Sequence, residues 1–106
     1  MKILLGLAFA CGLFAQDTAR TSAYAARFDL VATRAAAYQR SADTIEARLN
    51  EEGLTLHPET MALRMRVGAA LDQARHAIEA GQWKEADRAL SSAEALVDRL
   101  AKKLGG

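Results

Sequence analysis

From Tyr24 onward an apolar or small side chain recurs at Phe28, Val31, Ala35, Tyr38, Ala42, Ile45 and Leu49, at intervals of 4, 3, 4, 3, 4, 3 and 4. Intervals of this kind hold one stripe of a helix toward its neighbours for more than three heptads. A strand repeats every two residues and does not accommodate them. The segment is therefore committed to a long helix with a buried seam.

A second row of the same type runs through Trp83, Ala86, Leu90, Ala93, Val97, Leu100 and Leu104, at intervals of 3, 4, 3, 4, 3 and 4. Between the two rows lies a looser stripe: Leu63, Val67, Leu71, Ala74 and Ile78. Met61 and Met65 sit beside it and are expected to fill the core. Gly53 is placed to close the first helix, with Leu54 folding back on its last turn. Pro58 suits a first helical position, where a missing N–H costs nothing, and His57 abuts that start. Glu59 follows at the positive end of the helix dipole. Gly81 is placed to end the second helix.

These signals predict an all-α, three-helix up-down-up bundle with helices at about 18–51, 58–80 and 82–104. Asp17, Thr21 or Ser22 is expected to cap the first. Gly68 is either a weak point in the second, worth about 1 kcal/mol against Ala, or a place where a neighbour comes close. A chain of 106 residues has room for one domain. Strand-forming runs are missing, aromatics are only 6%, and a single Pro interrupts the chain, all in keeping with a helical fold.

Residues 1–15 read differently. Lys2 is followed by an uncharged apolar run from Ile3 to Ala15. One basic residue, a short apolar stretch and a small residue form the pattern of an export signal. As a helix the run spans roughly 20 Å, against about 30 Å for a bilayer core. Cleavage is expected after Ala15, leaving residues 16–106 as the helical domain in a secreted or periplasmic setting. Cuts after Ala10 or Ala25 also meet the small-x-small rule. Leu7 to Cys11 has some features of a lipoprotein box, so contact with a membrane is expected only through the signal or a lipid on Cys11. Removal of the leader takes the only cysteine and leaves 13 basic and 13 acidic side chains. A balanced charge gives no reason to expect a nucleic acid partner.

Short connections make sequential helices antiparallel, so the first and third are parallel. Arg20, Arg27, Arg34 and Arg48 fall on the g position flanking the first seam, and Asp87 and Glu94 on e of the third helix. Parallel neighbours join g to e. Arg27 and Arg34 are expected against Asp87 and Glu94, with Trp83 near the level of Arg27. Asp98 and Lys102 stand four apart, as an intrahelical pair would.

Gly81, Trp83, Ala86, Leu90 and Ala93, with Ala74 seven residues before the turn, resemble one tetratricopeptide repeat over residues 66–98. Ala70 stands where that family has a large aromatic, and Asp98 where it has a closing proline. No second copy follows at a spacing of about 34. The resemblance implies a helical hairpin, and only through stacked copies a peptide-binding groove.

No constellation reads as an active site, so no catalytic residue, cofactor or metal ligand is assigned. His57 and His76 lack a ligand spacing, and His76 is expected on a solvated face near Asp72. Glu51, Glu52, Glu85 and Asp87 show no setting for acid–base work. Cys-x-x-Cys-His and Gly-rich phosphate loops are absent. Arg64 and Arg66 could extend the arginines of the first helix into a basic face. Ala35, Ala42, Ala74, Ala86 and Ala93 sit on the seams and bury little area, so the bundle is expected to be marginal alone. A protein partner or self-association would offset that deficit. Tyr24, Phe28 and Trp83 form the expected contact surface, because the first helix outreaches its neighbours. The other reading is a small-molecule or metal carrier in the bundle core, with the Met61/Met65 face turned inward.

Overall fold

Glycine and proline punctuate this chain where left-handed or N–H-free backbone is needed. In a computed structural model, which describes the backbone of residues 2–105 and the side chains of residues 18–105, three helices form. They are α1 (Lys2–Glu51), α2 (Pro58–Glu79) and α3 (Trp83–Lys103). All regular structure among the described residues is helical. The side chains of the expected leader, residues 1–15 with Cys11, lie outside the described residues.

The stops follow from closing bonds that need positive φ. At Gly53 (φ 76°) the Gly53 N–H donates to the Asn50 carbonyl at 3.0 Å, and Leu54 N–H to Leu49 at 2.7 Å. Gly81 (φ 69°) repeats the arrangement with Ile78 and Ala77. Both satisfy carbonyls that the helix itself leaves open. Leu54 folds back through its backbone, but its side chain stays exposed; Leu56, two residues on, is the connection's buried anchor. The α2 start also follows expectation. Pro58 takes the first position, and His57 Nδ1 accepts from Glu59 N–H at 3.2 Å.

The start of α1 does not. The helix is unbroken through residues 17–22, so Asp17, Thr21 and Ser22 occupy interior positions and not a cap. Ala19, Ala23, Ala25 and Ala26 are strong helix formers, and no Gly or Pro interrupts that stretch.

α2 and α3 make the closest pairing, and α1 lies against both. Every seam position from Tyr24 to Leu49 and from Trp83 to Leu104 is buried or half-buried. The core has two clusters. The larger joins Val31 and Ala35 of α1 to Leu63, Val67 and Ala70 of α2 and Ala93, Val97 and Leu100 of α3. The smaller joins Ala74, Ala89 and Leu90, walled by Tyr24, Phe28 and Ile78. Ala42 is fully buried.

Met61 and Met65 correct the expectation of core filling: they are 47% and 77% exposed. Each precedes a buried residue, Leu63 or Val67, by two positions, or about 200° around the helix. Gly68 makes no close approach either, since a Cβ there would meet nothing within 4 Å.

Candidate functional site

Tyr24, Phe28 and Trp83 gather where α3 begins. The tight turn at Gly81 delivers Trp83 onto α1, where its ring stacks on Tyr24 with centroids 5.0 Å apart and planes 14° from parallel. The Arg20 guanidinium lies over the same indole at 5.9 Å. Such contacts add about 0.5–1 kcal/mol each to the area they bury. A hydrogen bond to Asp87, then partial burial and the Asp87 charge, raise the Tyr24 pKa above its ordinary value. Phe28 packs on the Ala74–Ala89–Leu90 cluster. These three residues are half-buried and engaged in the chain's own packing, and Phe28 also lines a small surface groove beside Ala25 and Ile78. Trp83 stands at the level of Tyr24 and Arg20, one to two turns before Arg27.

The α1–α3 register rests on charge. Arg27 Nε donates to Glu94 at 2.8 Å, and its terminal nitrogens to Asp87 at 3.3 Å and Ser91 at 3.2 Å. Arg34 departs from expectation and takes Asp98 at 2.8 Å. Arg27 is centred on Ser91, and a heptad further on stands Asp98. Asp98 thus pairs across the bundle and not with Lys102. That bond is the main cause raising the Arg34 pKa.

Arg64 is a junction that the sequence did not announce. It reaches from α2 to α1, donating to Gln39 Oε1 at 2.6 Å, to Glu46 at 2.9 Å and to Asp43. Gln39 returns a bond to the Arg64 carbonyl at 3.1 Å. Gln39, Asp43 and Glu46 share one face of α1 at intervals of 4 and 3, and that was the available signal. So acidic partners neutralise Arg64, and it joins no basic face with the α1 arginines.

Three larger surface grooves lie beside these contacts. One of about 410 Å³ between α1 and α2 is lined by Gln39, Glu46, Met61, Arg64 and Met65. A core carrier needs the methionine face turned inward, and this groove turns it outward. A second groove, about 530 Å³ between α2 and α3 near Gly81, holds Gln73, His76, Gln82 and Ser92. His76 is exposed as expected, though Asp72 pairs with Arg75 at 3.0 Å. A third, also about 530 Å³, lies at the other end of the same helix pair over Ala62 and Leu63. There Lys103 donates to Glu59 at 2.8 Å, and this bond holds the Glu59 pKa below its ordinary value.

Among the described residues, no group of three or more His, Cys, Asp or Glu is placed to hold a metal ion. No described helix is long and apolar enough to cross a membrane. Comparison with protein-family models, with curated proteins and with solved structures finds no match to this chain.

Proposed function

We propose that this chain is exported through a leader at residues 1–15 and acts without catalysis, as a scaffold or envelope accessory that works by protein–protein contact. The observation that carries the contact is the outward placement of Met61 and Met65 on one face of α2, lining the α1/α2 groove. Most buried positions of the bundle are alanine, so apolar area that would stabilise the inside sits outside, where a partner or a second copy covers it. Methionine suits that use because its flexible thioether adapts to an unlike surface.

Export is supported by the residue pattern from Lys2 to Ala15. A cut after Ala15 leaves every α1 residue that holds Trp83. A cut after Ala25 would strip Arg20 and Tyr24 from it.

Two measurements test this. Intact mass of the chain recovered from periplasm or medium should begin at Gln16; a full-length chain held in the cytoplasm overturns export. Chemical cross-linking in the native envelope should give an adduct that the Met61→Gln/Met65→Gln variant loses at unchanged melting temperature. An adduct equally abundant in the variant overturns the contact face.

A further inference from the structure

About half of the cations among the described residues are spoken for. Arg27, Arg34, Arg64, Arg75, Arg88 and Lys103 each hold a carboxylate, and Arg20 lies over Trp83. Of the six that hold none, Arg40, Arg48 and Lys84 lie elsewhere, and Arg66, Arg99 and Lys102 line a single groove between α2 and α3. Its only carboxylate, Glu59, is taken by Lys103. The floor is apolar: Ala62, and Leu63 from the underlying core.

Dipole compensation accounts for Lys102 and Lys103, which stand at the negative end of α3. It does not account for Arg66, in the third turn of α2 and on that helix's positive half. Nor does solvation alone explain why unpaired charge converges over an apolar floor. Guanidinium forks match carboxylate and phosphate oxygens in pairs of hydrogen bonds. The groove, at about 530 Å³, has room for an apolar body beside such a head group.

We infer that this groove binds a single-chain amphiphilic anion, an alkyl phosphate monoester. Its head group meets Arg66, Arg99 and Lys102, and its chain lies on Ala62 and Leu63. This inference stands apart from export and from the methionine contact face, and survives the failure of either.

The test titrates the full chain with dodecyl phosphate below its micelle concentration and follows the methyl signals of Ala62 and Leu63 by NMR. These report the groove itself and are blind to ligand held by the apolar run at residues 3–15. Saturable shifts are expected, with dodecyl maltoside and inorganic phosphate each giving far weaker ones. Arg66→Gln/Arg99→Gln should weaken binding about tenfold or more, while Arg40→Gln/Arg48→Gln, the same charge change on α1, leaves it unaltered. Equal response to the neutral maltoside, or unchanged affinity in the Arg66/Arg99 variant, overturns the site. So does binding to phosphatidylglycerol vesicles without methyl shifts, which would mark a merely charged surface.

Discussion

The two ends of the bundle are held by different means. Toward Lys103, the core is aliphatic: Leu63, Val67, Val97 and Leu100 interlock around Val31 and Ala35. Toward Gly81, the seam narrows to Ala74, Ala86 and Ala89 beside a single fully buried Leu90, and most of the remaining bulk comes from the half-buried side chains Tyr24, Phe28, Ile78 and Trp83. Aliphatic packing stabilises with little direction. The stack, the cation over the indole and the Arg27 fork each require one geometry, so they fix register more than they add stability. A single heptad pattern thus produces an end that supplies free energy and an end that supplies alignment.

The largest expected effect falls on the aliphatic end. Leu100→Ala leaves a cavity at a fully buried position and should cost about 3 kcal/mol in urea unfolding. A loss under about 1 kcal/mol would remove the distinction between the ends. Trp83→Ala should cost less, about 2 kcal/mol, because the ring is half-buried. It should also loosen α1 selectively, seen as faster amide exchange around Tyr24 than around Val31. Uniform exchange would deny the aligning role.

Gly68→Ala calibrates the comparison from outside both clusters. A Cβ there meets nothing, so the variant should be more stable by about 1 kcal/mol. The smallest effect is on pH. Glu59 has a lowered pKa, so its contribution is present above the carboxylate range and is lost as pH falls through it. Tyr24 has a raised pKa, so its contribution is present below the phenol range and is lost as pH climbs past it. Acid should therefore loosen the Lys103 end and alkali the Gly81 end. Melting curves of Glu59→Gln and Tyr24→Phe against pH should each flatten on one side only.

The seams, the glycine stops and the proline start were legible because each follows from local backbone chemistry. The angular position of Met61 and Met65 was legible too, since two positions from the buried Leu63 or Val67 is about 200° around the helix and faces outward. The Arg34–Asp98 contact and the Arg64 junction were not. Both depend on the axial offset between helices, which side-chain sizes along the seam set and no single helix encodes. In the uncleaved chain α1 begins before Asp17, Thr21 and Ser22, since capping residues occur inside helices as well as at their ends. Of the surface, the methionine face and the cationic groove emerge only when α2 is rotated into place against its neighbours.

The parallel course of α1 and α3 has a mechanical consequence. Arg20 and Lys103 lie at opposite ends of the bundle, since Arg20 meets Trp83 where α3 begins and Lys103 closes it. Tension applied between residues 18 and 105 therefore pulls α1 and α3 in opposite directions along their common axis. The Arg27 and Arg34 bridges and the interlocked side chains between them would bear that load together, not one after another. The same helices pulled from adjacent ends would peel apart turn by turn, so the order of the chain makes this small bundle a shear joint rather than a zipper.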